Sequence, residues 1–535
     1  MSEQETLKPK IKLSRTKNAV RNIYSGMFNK IFTIFFPFLI RTVLIKKIGI
    51  EYAGLNSLFS SILQVLNLTE LGFASAVVYS MYKPIAEDDK DTICALLNFY
   101  KRVYFIIGLV ILALGTAIMP FLPHLIKGNV PQDINIYVLY SIYLVNTSLS
   151  YLLFGYKNSL LNAHQRRDVI SNILTITQGL MNICQLLILV TIKNYYLYVL
   201  MMPIFTVLNN VLVGIATKRM FPEYSCKGKL DISVKKDIRK KVAGLMISKL
   251  CQISRNSLDS IFISAFLGLT TTAIYSNYFL ILTSISSFMG IITTSIQAGI
   301  GNSINTESVE KNYLNMKMFN FLYTWLAGFC CICMACLYQP FIELWIGKEY
   351  LLPTSAVILI CIYFYIMKAG DITANYCNAV GIWWENKYRY IAETVCNFIL
   401  NLALVKFFGI HGLIIATIIT MLFIGHGMGN QVLFRKYFKN IKLTNWIFCV
   451  ELKNLIITII SGVITLFICI FIDTKFSLNL YIKIMIRFSI CVLFSNTIFY
   501  FLYKWTNEYK DAKKWILDKR KKNQNNRKHN YEINE

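Results

Sequence analysis

Eight ionisable residues lie within stretches of sequence that are otherwise almost entirely apolar. Such side chains are costly inside a membrane, and those that occur there usually face a partner or an aqueous cavity. Guanidinium and ammonium groups bind phosphate oxygens strongly. The candidate anion-binding residues are Lys30, Arg41, Lys249 and Arg255. The candidates for ion coupling or charge pairing are Glu70, Asp259, Lys368 and Asp371.

Spacing along a helix divides these residues into two groups. Arg255 and Asp259 are four residues apart on one helix. Lys368 and Asp371 are three residues apart. Both spacings permit pairing within a helix, so mutual neutralisation and a role in transport stay equally open, and one pair can do both. Arg41 lies near the outer end of its stretch, where it either forms a second cationic position or extends to the membrane surface.

Lys30, Glu70 and Lys249 have no partner at helical spacing. At 1.5 Å per residue, these three and Arg255 lie about 10–20 Å from the inner ends of the first, second and seventh apolar stretches. If those stretches line one cavity, its charge is net positive. A cationic cavity suits an anionic substrate, such as a phosphate or pyrophosphate group.

Long apolar helices must position these residues. The chain has 535 residues, of which 55% are apolar and 16% charged. A helix needs about 20 mostly apolar residues to cross a membrane. The sequence predicts an all-α polytopic membrane protein with about fourteen spans, and twelve spans is the alternative. The fourteen are 22–45, 54–80, 104–122, 134–156, 169–192, 196–217, 242–267, 273–299, 319–337, 355–380, 390–407, 410–434, 448–472 and 480–503.

The basic residues indicate the orientation. Net charge is +27, from 55 Lys and Arg against 28 Asp and Glu. Most of these bases fall in alternate loops, so the positive-inside rule predicts that both termini are cytoplasmic. The excess therefore faces anionic membrane lipids, and no nucleic-acid partner is predicted. Residues 505–516 have the spacing of an amphipathic helix on such lipids, with a solvated basic tail as the equal alternative.

Two weak matches suggest an internal repeat. The hairpin turn at 49–57 resembles that at 268–276, and Asn182 resembles Asn397 in context, at nearly the same offset. The sequence thus predicts two six-helix lobes related by a parallel repeat, plus two C-terminal helices. The predicted parts are a basic leader 1–21, an N-lobe 22–217, a basic linker 218–241, a C-lobe 242–434, spans 13–14 in 435–503, and a basic tail 504–535.

The motifs of enzymes and metal sites are not found. The sequence has no P-loop, HExxH or GxSxG, and its outer loops are short. The 14 cysteines show no metal-ligand spacing on a polar loop. Four of them lie in the apolar stretch 330–336, where the prediction is helix packing by small side chains. We therefore expect no enzyme, no metal and no cofactor, apart from coupling to H⁺ or Na⁺. His426 is interpreted as a packing or interfacial residue.

Several stretches resemble one family of exporters. Residues 41–60, RTVLIKKIGIEYAGLNSLFS, and 66–76, LNLTELGFASA, resemble the first hairpin and second helix of the Wzx-type oligosaccharide flippases. These flippases belong to the multidrug/oligosaccharidyl-lipid/polysaccharide (MOP) exporter superfamily. Further similarities are found at Ile274–Tyr278, at Gly301 and Asn302 with Glu307, Glu310 and Lys311, and at Gly409–Gly412.

The resemblance implies a MATE-like fold and a substrate. It implies alternating access and flipping of an undecaprenyl-pyrophosphate-linked oligosaccharide across the bacterial cytoplasmic membrane, for surface polysaccharide biosynthesis. Other membrane proteins of polysaccharide assembly are then expected partners. One alternative is a cation-coupled multidrug exporter of the same superfamily, which predicts a cavity dominated by acids. A membrane glycosyltransferase or polymerase is the remaining alternative, and it needs a larger outer loop than this chain has.

Overall fold

The structure, a computed structural model, is all-helical. It describes residues 15–67, 73–128, 130–232, 238, 257–476 and 479–518. Within these ranges every regular element is a helix, so the predicted all-α class is confirmed. The chain forms two compact units, Met1–Ile253 and Ser254–Glu535.

Eight α-helices make up the described part of the first unit. They are α1 (Arg15–Lys47), α2 (Ile50–Leu66), α3 (Phe73–Glu87), α4 (Lys90–Ile118), α5 (Ile136–Leu152), α6 (Asn158–Ala163), α7 (Arg167–Thr191) and α8 (Tyr195–Met220). The predicted span 54–80 overlaps both α2 and α3, and residues 68–72 between them lie outside the described ranges. The stretch Gly155–Ala163 continues α5 at an angle of 47°.

In the second unit, π-helical turns join three pairs of consecutive helices. Its helices are α9 (Ser257–Leu267), α10 (Leu269–Thr306), α11 (Val309–Trp345), α12 (Thr354–Ala369), α13 (Asp371–Val380), α14 (Lys387–Ile419), α15 (Gly429–Lys436), α16 (Leu443–Trp446), α17 (Lys453–Lys475), α18 (Leu480–Ile490), α19 (Asn496–Tyr503) and α20 (507–518). The π-helical turns are Thr420–Met428, Ile447–Leu452 and Cys491–Ser495.

Nine helical runs within the described ranges are long and apolar enough to cross a membrane, or ten if the bent pair in the first unit is one span. One run, Lys387–Lys436, is 50 residues long and holds two predicted spans. Gly409 interrupts it with a non-helical φ of 55° and ψ of −129°. The helices thus agree approximately with the predicted spans, several of which are short, bent or only partly described.

Many large apolar side chains point outward from these helices, and several polar side chains are buried between them. Phe407 is 80% exposed and Phe467 70% exposed, whereas Asn401 and Ser461 are completely buried. Extensive exposed apolar surface is unfavourable in water and favourable in lipid. Small and polar residues are instead typical of contacts between membrane helices. The chain is therefore a multi-pass membrane protein.

The two turns that suggested a repeat have similar backbone geometry. Gly49 precedes α2 with φ 144° and ψ 160°, and Gly268 precedes α10 with φ 92° and ψ 173°. Each glycine amide donates to the carbonyl five residues earlier, Leu44 at 3.2 Å and Ile263 at 3.0 Å. Because a positive φ is unfavourable for residues with a Cβ atom, glycine allows the chain to turn sharply at both places.

The amphipathic tail helix occurs as α20, and its apolar side packs against the protein itself. Tyr509, Ala512 and Trp515 contact the same apolar cluster as α11. At its start Glu508 lies 3.4 Å from Lys317 Nζ and 3.0 Å from Lys453 Nζ. Burial opposes ionisation of Glu508, but its backbone hydrogen bond and these two lysines outweigh that effect and lower its pKa. The carboxylate therefore anchors α20 to α11 and α17.

Gly412 allows a close backbone contact beyond the Gly409 break. A Cβ atom at Gly412 would lie 2.2 Å from the carbonyl oxygen of Leu404. We expect Gly412→Ala to lower the stability of the second unit by about 1–3 kcal/mol through overpacking. Thermal unfolding in detergent measures this effect. Gly427→Ala is the matched control, because its Cβ would meet only the Leu422 carbonyl, at an ordinary 3.8 Å. Equal stability of the two variants would contradict the prediction.

Candidate functional site

Helix α1 carries two predicted anion-binding residues, Lys30 and Arg41, on one face. They are eleven residues apart, which is just over three helical turns, so they lie about 16 Å apart along the axis. Both side chains are half-buried. Pro37 lies between them within α1, and proline permits a bend because it donates no backbone hydrogen bond. The helix thus presents two cations in one line, Lys30 nearer its start and Arg41 nearer its end.

Arg41 is held by neutral hydroxyl groups. Its Nη1 and Nη2 atoms both donate to Ser57 Oγ at 3.2 Å. Ser57 lies on α2 and donates to the carbonyl of Ala53 at 2.9 Å. The phenols of three tyrosines lie close enough to interact with the guanidinium electrostatically; they are Tyr143, Tyr195 and Tyr198. These hydroxyl neighbours orient the guanidinium.

The tyrosines near Arg41 form a connected group. The hydroxyls of Tyr143 and Tyr195 are 3.3 Å apart. Tyr143 donates to Asn56 Oδ1 at 2.9 Å, and Tyr195 donates to the carbonyl of Tyr52 at 2.9 Å. The rings of Tyr195 and Tyr198 stack with centroids 5.5 Å apart. Both hydroxyl protons are therefore engaged, and the group joins α2, α5 and α8 around the guanidinium of Arg41.

Tyr52 closes this group at the beginning of α2. Its hydroxyl donates to Asp133 Oδ1, and its ring lies edge-on to Tyr195 at a centroid distance of 5.0 Å. Burial and the hydrogen bond to Asp133 raise the pKa of Tyr52 above its ordinary value. The phenol therefore stays protonated at neutral pH and continues to donate to Asp133.

The part of α1 around Lys30 is fixed against α7. Asn29 Nδ2 donates to Thr175 Oγ1 at 2.8 Å, next to Lys30. Thr175 in turn donates to the carbonyl of Ser171 at 2.8 Å. Because neighbouring residues on a helix point about 100° apart, Asn29 can bind α7 while Lys30 projects from a different face. The packing of α1 against α7 therefore fixes the position of Lys30.

In the second unit, Asp259 is a buried carboxylate within a polar network. Its side chain is 3% exposed. It accepts hydrogen bonds from Tyr275 Oη at 3.2 Å and from Asn401 Nδ2 at 3.1 Å. Asn401 also donates to Asn397 Oδ1 at 3.2 Å, and Asn397 donates to Thr417 Oγ1 at 3.2 Å. Such a network stabilises a buried acid and connects it from α9 to α10 and α14.

Arg41 and Asp259 occupy similar places in the two units. Arg41 precedes Gly49 by eight residues, and Asp259 precedes Gly268 by nine. At 1.5 Å per residue, each lies about 12–14 Å before its turn. The helix before the repeated turn therefore carries a cation in one unit and an acid in the other.

Lys368 and Asp371 form an ion pair across a break between two helices. Lys368 Nζ lies 2.9 Å from Asp371 Oδ2, and Tyr323 donates to the same oxygen at 2.6 Å. Gly370 separates α12 from α13. The lysine thus ends one helix and the aspartate begins the next, which suits both helix dipoles.

Three predicted site residues, Glu70, Lys249 and Arg255, lie outside the described residues. Their roles remain predictions. The expectation that the first, second and seventh spans line one cavity also remains a prediction.

The second unit contains another polar group, around His426 and Glu451, which was not predicted from the sequence. His426 Nε2 lies 2.8 Å from the carbonyl of Ile366. Glu451 accepts hydrogen bonds from Asn430 and from Trp446 Nε1, both at 2.9 Å, and lies 3.9 Å from His426 Nδ1. The sequence signal was Glu451, an acid at the start of the predicted span 448–472. Because His426 and Glu451 are 25 residues apart in the sequence, their spacing did not indicate a contact.

Comparisons with known proteins identify the fold. No family model and no curated protein sequence matches the chain. The structure of lipid II flippase MurJ in an inward closed conformation aligns with a TM-score of 0.63 and 17% identity, over 91% of this chain and 99% of that one. An inward-facing multidrug resistance MATE family transporter of the MOP superfamily aligns with a TM-score of 0.57 and 14% identity, over 77% and 97%.

A Vibrio cholerae MATE transporter, VcmN, gives a similar result. The structure of one of its mutants aligns with a TM-score of 0.55 and 14% identity, over 80% of this chain and 98% of that one. The predicted MATE-like fold is therefore confirmed. The finer Wzx-type identity remains a prediction, since these likenesses are too distant in sequence to assign a substrate. The chain has the fold shared by MurJ and the MATE transporters of the MOP superfamily.

Proposed function

We propose that this protein is a flippase for an undecaprenyl-pyrophosphate-linked oligosaccharide. It would carry the head group from the cytoplasmic to the outer leaflet of the bacterial cytoplasmic membrane by alternating access, for surface polysaccharide biosynthesis. The observation that carries the proposal is the line of two cations, Lys30 and Arg41, on one face of α1. The likeness of the fold to that of a lipid II flippase supports it.

The two cations suit a pyrophosphate that moves along α1. Guanidinium groups bind phosphate oxygens through paired N–H donors, and ammonium groups bind them as point charges. On the predicted topology, Lys30 would engage the head group nearer the cytoplasm. Arg41, which donates to Ser57, would engage it nearer the outer side. Lys249 and Arg255 would add cations on the seventh span.

The tyrosines around Arg41 would support the guanidinium and would not touch the sugar. Tyr143, Tyr195 and Tyr198 are each at most 3% exposed, and the hydroxyl protons of Tyr143 and Tyr195 are already engaged. They would keep the guanidinium in place while it binds the pyrophosphate. The lipid tail would remain in the bilayer while this polar region holds the head group.

The energy source is either ion coupling or the membrane potential. An anionic head group crossing the membrane is driven by the potential itself, which contributes about 2.3 kcal/mol per charge per 100 mV. Asp259, buried among hydrogen-bond donors, is the described residue best placed for H⁺ or Na⁺ coupling, and Glu70 is a further candidate.

Deletion of the gene tests the function directly. We expect an undecaprenyl-pyrophosphate-linked saccharide to accumulate on the cytoplasmic leaflet, and complementation to restore surface glycan. Mass spectrometry of the extracted lipids identifies the saccharide. Unchanged lipid-linked intermediates and intact surface glycan would overturn the proposal. Glycosyl transfer by the purified protein would instead show that it is an enzyme.

A cation-coupled multidrug exporter is the second candidate, and the Asp259 network is the observation that favours it. Likeness to a multidrug resistance MATE transporter agrees with this alternative. Increased drug sensitivity of the deletion strain, with intact surface glycan, would support it.

Asp259→Asn tests coupling under either candidate. The amide cannot take up a proton, so we expect transport into proteoliposomes to lose its response to an imposed pH or Na⁺ gradient. Asp511→Asn is the control, because Asp511 is an exposed acid on α20. Gradient-driven transport by Asp259→Asn at the rate of the control would exclude Asp259 from coupling.

A further inference from the structure

Three buried cysteines of the second unit converge from distant parts of the sequence. Cys336 lies on α11, Cys469 on α17, and Cys491 in the π-helical turn after α18. Their Sγ atoms all lie within 4.8 Å of one another. None of the three is more than 1% exposed. Cys333 lies one helical turn before Cys336 and is close enough to Cys491 for the two thiols to interact.

Packing by small residues, predicted for the run 330–336, explains each cysteine singly but gives no reason for four thiols to meet. The pattern Cys333-x-x-Cys336 places two thiols on one face of α11, and two other helices complete the group. Ile332, Ile457 and Ile490 belong to the same apolar cluster. This apolar surrounding would exclude water and competing ligands.

Positive charge lies beside the thiols. Arg487 Nη1 donates to the carbonyl of Cys336 at 2.6 Å, and the guanidinium interacts electrostatically with Cys469 and Cys491. Asp473 Oδ2 binds both Arg487, whose Nε is 3.1 Å away, and Lys483, whose Nζ is 3.2 Å away. Two cations share one carboxylate, so the group keeps a net positive charge that would offset an anionic thiolate centre.

We propose that this cysteine cluster binds a thiophilic d¹⁰ metal ion, Zn²⁺ or Cu⁺. Cys336, Cys469 and Cys491 would supply three thiolates, with Cys333 as a fourth ligand. Thiolates prefer these ions, and metal–sulfur bonds of about 2.3 Å in a tetrahedral zinc site place the sulfurs roughly 3.8 Å apart. Small side-chain rotations would bring the thiols to that spacing. Each ligand loses its proton to solvent as the metal binds.

The metal would fasten the two C-terminal spans to α11. Cys469 lies four residues, about 6 Å along the helix, before Asp473, near the predicted outer end of α17. The site would thus be reached from the outer side. This proposal is independent of the transported substrate.

Metal content of the full-length protein tests the proposal. The protein is purified in detergent from cells supplied with zinc or, separately, with copper, and its metal is measured by inductively coupled plasma mass spectrometry. We expect about one ion per chain, lost from Cys336→Ser and Cys469→Ser and kept in Cys361→Ser. Cys361 is the matched control because it is equally buried but outside the cluster. Wild-type protein without metal from both cultures, or equal metal in Cys336→Ser, would overturn the proposal.

A second measurement uses only the wild-type chain, in case the variants do not fold. Co²⁺ added to the chelator-treated protein is expected to produce thiolate-to-metal charge-transfer absorption, and Zn²⁺ to abolish it. Peptide mapping after alkylation without reduction gives the state of the four cysteines. Four free thiols after chelation support the metal site, whereas a disulfide among them, or no charge-transfer band, would overturn it.

Discussion

Replacing Arg41 by alanine is expected to lower the affinity for an undecaprenyl-pyrophosphate-linked saccharide by about 10- to 150-fold, because a hydrogen bond to a charged group contributes about 1.5–3 kcal/mol. Export of surface glycan should fall accordingly at equal protein level. Arg41→Lys should recover only part of the affinity, since an ammonium group lacks the paired donors of the guanidinium. Binding to protein in nanodiscs measures each affinity.

Two further variants separate a direct contact from a general effect of charge. Lys47→Ala removes the same charge from the exposed end of α1 and should leave affinity nearly unchanged. Ser57→Ala keeps the guanidinium but removes a hydrogen bond that orients it, so its affinity should fall between those of wild type and Arg41→Ala. If Arg41→Ala and Lys47→Ala bind equally well, Arg41 is not a head-group ligand.

The features predicted correctly from the sequence depend on local interactions. Each apolar stretch is long enough to define a helix by itself, so the all-α class and the positions of most spans follow from hydropathy. The turns at Gly49 and Gly268 were recognisable because a sharp bend requires a positive φ. Lys368 and Asp371 were seen as a possible pair because the contact joins residues only three apart.

The features that were not predicted depend on contacts between distant residues. Asp259 and Asn401 are 142 residues apart, and no periodicity within either helix indicates that they meet. The same is true of the tyrosines around Arg41 and of the cysteine cluster, in which the run 330–336 resembled ordinary small-residue packing. Such contacts depend on which helices pack against each other. A single sequence carries no direct signal of that packing.

The largest expected effect on stability concerns the pair formed by Lys368 and Asp371. Asp371→Leu should destabilise the second unit by about 3 kcal/mol, within the range found when one partner of a buried ion pair is removed. The reason is that Lys368 is only 7% exposed and would remain as an unpaired cation. Lys368→Met should cost less, because the side chain of Asp371 is 28% exposed and still accepts the hydrogen bond from Tyr323.

The double variant Lys368→Met/Asp371→Leu should regain most of the lost stability, because it leaves no unpaired charge and apolar replacements of a buried pair are often tolerated. Thermal unfolding of the four proteins in detergent gives the coupling between the two residues. Additive losses would show that the ion pair contributes nothing. Transport by the double variant then decides its purpose: normal export means that the pair only stabilises the break between α12 and α13, whereas lost export in a stable protein means that these charges take part in the transport cycle.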